Sequence, residues 1–190
     1  MKPEPKVVSM SRVIETARLV LRPWQVSDAD AALAIYADPA VRRWLAPADL
    51  PMTAGEMRLR LQQWRTDDLT STGCIGHWAV ADSSTSVVVG AMVLDHAPGT
   101  ESLAIGWALA AEARGRGYAT EAGDALVRWA IHERGAVEVF ALVQPGNVRA
   151  RSTAERIGME WVTELGHLDG GGRYQVYRIR HGDLDYEDEA

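Results

Sequence analysis

Apolar and polar positions alternate from Arg18 to Pro23, the period of a strand, and Ser27-Asp28-Ala29-Asp30 then supplies a capping residue and an acid-rich first turn for a helix running to about Ala37. Pro39 suits the first turn of a short helix ending near Leu45, and Thr53 to Asp67 carries Met57, Leu61 and Trp64 at helical spacing. These helices are expected to form one lobe. Cys74 to Asp82, Ser86 to His96 and Glu101 to Leu109 read as three strands joined by short polar or Pro-Gly turns, an antiparallel meander. Gly117 to Arg134 then returns to helical period, and Ala136 to Val143 is a β-rich run of the kind buried on both faces. Asn147 caps a last helix ending at Gly158, and Glu160 to Leu165 with Arg173 to Arg180 predict a hairpin around Gly170-Gly171-Gly172. The strand, helix, strand order in the second half requires a parallel crossover. The expected class is α/β in the α+β sense: a mixed, mainly antiparallel sheet of about seven strands with a central parallel pair, flanked by helices.

At 190 residues and 47% hydrophobic content, the chain suits one core rather than two. We expect one domain over 13–181, a flexible leader over 1–12 and an acidic tail over 182–190. The longest apolar runs, Ser86 to Leu94 and Leu103 to Ala111, fall short of the roughly 18 residues of a membrane span, and no apolar stretch of a secretory signal follows the start. A cytoplasmic protein is expected. The lone cysteine, Cys74, closes no intramolecular disulfide and reads as a small buried hydrophobe. Five acidic residues of the last ten, Asp183, Asp185, Glu187, Asp188 and Glu189, carry most of the net charge of -6. The remaining body is close to neutral, which disfavours general nucleic-acid binding.

The chemistry concentrates where Ile105-Gly106-Trp107-Ala108-Leu109 leads through a short connection to Arg114-Gly115-Arg116-Gly117-Tyr118-Ala119-Thr120 and a helix. Glycines let successive amides turn toward one point, and a helix start adds unpaired donors and a partial positive charge, so such a loop can hold a diphosphate with Arg114 and Arg116 beside it. It lacks the Gly-Lys-Ser/Thr ending of a triphosphate loop and the GxGxxG of a dinucleotide fold. A short glycine loop can also be just a tight strand-to-helix connection.

With Arg114, Gly117 and Ala119 in an R-x-x-G-x-A pattern after the strand IGWAL, the segment resembles the acetyl-CoA signature of the GNAT N-acetyltransferases. The run from Ile14 to Pro23 followed by Ser27-Asp28-Ala29-Asp30 resembles the opening of the branch containing ribosomal-protein alanine and serine N-terminal acetyltransferases, and NVRARSTAERIGM from Asn147 to Met159 resembles that branch's asparagine-helix-glycine segment. The likeness spans roughly residues 14 to 180. It implies a GNAT-like sheet whose central parallel strands splay apart, with acetyl-CoA as co-substrate and no metal. Backbone groups of Trp107, Ala108 and Leu109 would pair with the pantetheine arm, the amides of Arg114, Gly115, Arg116, Gly117, Tyr118, Ala119 and Thr120 would take the pyrophosphate, and Asn147 would contact the pantetheine. Asn147 is equally suited to cap its helix, and the two roles can coexist.

The implied reaction is direct attack of a neutral primary amine on the thioester, with the oxyanion met by a backbone N–H near Leu109. Glu101 matches the position of the base in the N-terminal alanine branch; its other reading is a solvated residue after the Pro98-Gly99 turn, with Asp95 and His96 as secondary candidates. Relatives often place a tyrosine or serine in the last helix as proton donor, where this chain has Ala154 and Ala150. Ser152 reads as lying on another face of that helix, and Trp44, Met57 and Trp64 read as core before acceptor cleft. The five histidines show no metal-ligand spacing. The acceptor is a peptide N-terminus or a small-molecule amine, and a homodimer is left open. Two competing readings are a non-catalytic acyl-CoA-binding regulatory domain, suggested by Ala150 and Ala154, and a nucleotide-binding protein.

Overall fold

Large and small side chains divide the central strands into two faces. In strands β3 (Gly76–Asp82) and β4 (Val88–His96), Trp78, Val80, Met92 and Leu94 point to one side and Ala79 and Ala91 to the other, the two-residue period of a pleated sheet. The bulky face packs under α4 (Tyr118–Arg128), which contributes Ala122 and Leu126. The alanine face, joined by Ala108, lets α1 (Ala29–Ala37) and α3 (Ala54–Thr70) settle close, closing a second core around Trp24, Ile35, Met57 and Leu61. That is the expected helical lobe. Among the described residues, no helix is long and apolar enough to cross a membrane.

The remaining strands are β1 (Ile14–Glu15), β2 (Leu19–Pro23), β5 (Leu103–Leu109), β6 (Glu138–Val143), β7 (Glu160–Leu165) and β8 (Tyr174–Arg180). The computed structural model describes residues 12–45, 53–70, 73–166 and 172–184, and its eight strands form one sheet in the order β1-β2-β3-β4-β5-β6-β8-β7. Only β5 and β6 run parallel; the other neighbours are antiparallel, as expected. Their pairing is recorded at Ala104 opposite Phe140 alone, although β5 continues to Leu109 and β6 to Val143, so the two strands part toward their C-terminal ends.

Several expectations are corrected. The two-residue β1 adds an eighth strand. The Gly117–Arg134 helix is α-helical only to Arg128 and then widens into a π turn over Trp129–Glu133, with Ala136 N bonded to Ala130 O at 2.9 Å. Strand β6 is fully buried on one face only, since Glu138, Phe140 and Leu142 alternate with buried Val139, Ala141 and Val143. Arg12, assigned to a flexible leader, is part-buried and donates to Ile75 O at 2.8 Å. The expected tail opens with α6 (His181–Leu184), where Asp183 accepts from Arg180 N at 2.8 Å and Leu184 is buried. The rest of the leader (1–11), the rest of the tail (185–190) and Gly170-Gly171 of the expected hairpin lie outside the described residues.

Two helices complete the frame. Asp38 opens α2 (Pro39–Arg42) by accepting from Ala40 N at 2.8 Å, and Asn147 opens α5 (Val148–Arg156) by accepting from Ala150 N at 3.2 Å. α5 lies against α4 at Gly123, where a Cβ would stand 2.5 Å from Ile157 Cδ1. Only glycine admits so close an approach without displacing Ile157.

Candidate functional site

A cleft of about 500 Å³ opens where β5 and β6 part. Trp107, Ala108 and Leu109 from the end of β5 form its floor, and Arg114, Gly115, Gly117, Tyr118, Ala119 and Thr120 form one wall. Asn147 and the α5 side chains Arg149, Ala150, Ser152 and Arg156 form the facing wall, and Val41 and Trp44 from the α2 segment close one end. The fold therefore brings together most of the residues read from the sequence as coenzyme-binding. Arg116 and Glu101 are outside.

The loop's backbone explains why it faces the cleft. Gly115 and Gly117 have φ of +78° and +79°, the left-handed region that side chains disfavour, so the chain turns twice within three residues. Among the described residues, no acceptor within the protein is found for the amides of residues 115–120; the first helical bond is Glu121 N to Gly117 O at 3.0 Å. Five of these six donors, all but that of Arg116, belong to residues that border the cavity, three of them at the positive end of an eleven-residue helix. Unpaired amides there are an anion-binding surface.

Arg114 has a different job from the one its charge suggests. Its guanidinium is bound to Asp38 and donates from Nε to Leu109 O at 3.2 Å and from Nη2 to the same oxygen at 3.0 Å. The hydrogen bonds from Ala40 N and Arg114 hold the Asp38 carboxyl below its usual value, so the pair is ionised and ties α2 to the end of β5. Arg149 and Arg156, seven residues apart on one face of α5, have no ion-pair partner among the described residues and reach the cleft unneutralised. Neither was singled out from the sequence; their spacing was the available signal.

Three other residues differ in placement from expectation. Trp44 lines the cleft, while Met57 and Trp64 lie in the second core. Ser152 lines the cleft as well, because the cavity wraps around the first turns of α5 and so meets more than one face of that helix. Ala150 borders the cavity, but Ala154 is 0% exposed in the main core, facing away from it. Glu101 precedes β5 on the solvent side, its side chain 98% exposed and 3.9 Å from His96 Nε2. Six residue steps, about 20 Å at roughly 3.3 Å each, separate it from Trp107. No carboxylate borders the cleft among the described residues. Burial raises the Cys74 thiol above its ordinary value, in keeping with an inert core residue.

A family model for the acetyltransferase (GNAT) domain matches residues 18–160. An acetyltransferase from Agrobacterium tumefaciens is similar at 27% identity with a TM-score of 0.71, over 94% of this chain and 100% of that one. Mycobacterium smegmatis RimJ, solved in complex with CoA-disulfide, shares 18% identity with a TM-score of 0.75, over 87% of this chain and 83% of that one. A Vibrio cholerae protein described as a ribosomal-protein-serine acetyltransferase shares 19% identity with a TM-score of 0.75, over 95% and 99% of the two chains.

Proposed function

Because the chain belongs to the GNAT acetyltransferase family and is thereby an acyltransferase, we propose that it transfers the acetyl group of acetyl-CoA to a neutral primary amine, a peptide α-amine or a small-molecule amine. The observation that carries this reading is the run of unpaired amides from Gly115 to Thr120, five of them on residues that border the cleft. A diphosphate fits them by charge, and Arg149 and Arg156 make the same cavity favourable to a polyanionic coenzyme. The thioester supplies the acyl group. The chain's own residues hold and orient: the loop fixes the diphosphate end, the unpaired edge of β5 at Trp107–Leu109 receives the pantetheine amides, and Asn147 stands across the opening. Alignment of this kind accelerates acyl transfer mainly by removing the entropy of encounter.

The acceptor follows from what borders the cavity. The described lining holds no carboxylate to deprotonate an incoming ammonium by direct contact, which favours an amine that arrives neutral. An α-amine of pKa about 8 is roughly a tenth neutral at pH 7, whereas a lysine near 10.4 is under a thousandth. The reading therefore favours α-amines. Glu101, remote and exposed, takes the proton only through water, and Ser152 is one of the hydroxyl side chains on the cleft that could serve the sulfur, with Tyr118, Thr120 and Thr153. Trp44 and Val41 give the acceptor an apolar wall.

Incubation with acetyl-CoA and a panel of N-terminal peptides, polyamines and amino sugars is expected to release free CoA thiol, fastest with an α-amine. Glu101→Gln is expected to slow release only a few-fold, in line with a proton relay rather than a direct base. The second reading, a non-catalytic acyl-CoA-binding domain, is favoured by Ala150, which borders the cavity with a methyl group and offers no proton. Tight CoA binding with no thiol release from any acceptor would establish it.

A further inference from the structure

The back of the phosphate loop is gripped from outside the cleft by the segment that precedes β2. Thr16 Oγ1 donates to Glu121 Oε1 at 2.6 Å, Arg18 N donates to the same oxygen at 2.9 Å, and Arg18 Nε donates to Glu121 Oε2 at 2.7 Å. One carboxylate on the first turns of α4 thereby uses both oxygens on a segment about a hundred residues away in sequence. Held in this way, Arg18 turns its other nitrogen on the loop itself, Nη1 donating to Arg116 O at 3.0 Å, and lays its guanidinium 4.9 Å from the Tyr118 ring centre. Neither Arg18 nor Glu121 borders the cleft.

The geometry of a peptide unit gives this grip a consequence on the far side. The carbonyl of Arg116 and the amide of Gly117 belong to one planar trans peptide, so they point in opposite directions. Fixing Arg116 O outward on Arg18 turns Gly117 N–H inward, toward the cavity that Gly117 borders, where it has no protein acceptor. A left-handed glycine rotates easily without such a restraint, since it has no Cβ to bar alternative φ and ψ.

We propose that Arg18 and Glu121 are positioning residues for the coenzyme: Glu121 orients Arg18, and Arg18 sets the peptide that aims Gly117 N–H at the diphosphate. The pair rests on the reading of the loop as a diphosphate cradle given above. Burial alone would raise the Glu121 carboxyl, but the bonds from Thr16 and Arg18 and the charge of Arg18 outweigh it and hold the group below its ordinary value, so the clasp is ionised at neutral pH. Simple fastening of β2 would need neither the bond to Arg116 O nor the contact with Tyr118.

The test compares acetyl-CoA with S-acetylpantetheine, which carries the thioester and arm but no diphosphate. Glu121→Gln and Arg18→Ala are expected to raise KM for acetyl-CoA and Kd for CoA by about tenfold, the scale of a misaligned binding group, with kcat at saturation little changed and KM for S-acetylpantetheine unmoved. Arg18→Lys, which keeps one bond but not the fork, should fall between. Melting temperatures identify any variant that fails to fold, and Thr16→Val, which deletes a single bond, then serves as the milder probe with the same expected selectivity at smaller size. Equal effects on the two acyl donors, or no effect on either, overturns the positioning role. Gly117→Val separates the two levels: if it too leaves CoA affinity intact, the cradle itself is wrong, whereas if it abolishes CoA binding while Glu121→Gln does nothing, only the clasp is.

Discussion

The two long walls of the cleft are made of different material. The loop wall, from the end of β5 to the first turn of α4, presents backbone: five unpaired amides, two left-handed glycines and a helix start. The facing wall and its end, from α5 and the α2 segment, present side chains, among them Asn147, Arg149, Ser152, Arg156 and Trp44. Under the proposed function, the backbone wall would take the part of the coenzyme common to every turnover, its diphosphate, and would tolerate change in most of its side chains. On the side-chain wall, Trp44 and Ser152 would set what differs, the acceptor and the proton path, while Asn147, Arg149 and Arg156 would add to coenzyme binding. Effects of mutation should divide accordingly, with glycine changes on the loop wall touching the coenzyme and changes at Trp44 or Ser152 touching the acceptor.

The sharpest break of that division pairs Gly117→Val with Trp44→Ala. A β-branched residue at φ +79° is strained by about 1–2 kcal/mol, and its Cβ would stand 3.5 Å from Arg18 Nη2, so the loop relaxes to another path. Amides displaced by about 1 Å are expected to cost about a hundredfold in CoA affinity by calorimetry, with the rest of the fold retained. Trp44→Ala should leave CoA affinity within about twofold and raise the acceptor KM severalfold, an apolar contact on the order of 1–3 kcal/mol. Comparable losses of CoA affinity in both variants would mean that the walls do not divide the work.

The same distinction explains what the sequence made legible. Strand alternation, the crossover helix and the glycine loop are local patterns, and each was readable because it rests on backbone period and on residues with special φ. The splay of β5 and β6 was implied only through family resemblance, since nothing local in either strand announces where pairing stops. The pairing of Arg114 with Asp38 was not legible because Asp38 lies 76 positions earlier and meets it only in the folded chain. Trp44 and Ser152 were misplaced for a related reason: helical spacing tells which residues share a face, not which face borders a cavity. The π turn after Arg128 and the small β1 have no signature strong enough to separate from their surroundings.

A smaller effect sharpens the role of Asn147, which sits on the side-chain wall yet caps α5. Asn147→Ala should lose about 1 kcal/mol of stability through the cap alone. Asn147→Ser keeps an oxygen acceptor for Ala150 N but shortens the side chain, so stability should be kept within a few tenths of a kcal/mol. If Asn147 also touches the pantetheine, both variants weaken CoA binding by a similar factor despite their different melting temperatures. Parallel recovery of both properties in the serine variant would assign Asn147 to capping only.

The least effect expected is on acid stability, and it too is uneven between the walls. Asp82 accepts hydrogen bonds from Ser84 and Thr85 and from the Tyr118 hydroxyl at 3.2 Å, which braces the start of α4 from the sheet. The bonds from Ser84 Oγ and Thr85 N lead in lowering its carboxyl from an ordinary 3.8 to about 2. A carboxyl with a depressed folded value binds its proton more weakly when folded, so its contribution is complete above about pH 4, the ordinary unfolded value, and fades as pH falls toward 2. Glu121 and Asp38 are shifted in the same direction; Asp38 binds Arg114 and Asp82 binds Tyr118, while Glu121 itself stands in the first turn of α4 and reaches the loop through Arg18. Melting temperature should therefore decline between about pH 4 and 2, and Asp82→Asn, which has no proton to gain, should lower the neutral-pH value slightly and flatten that decline. An acid limb of the same steepness in the asparagine variant would show that the loop wall is not where acid acts first.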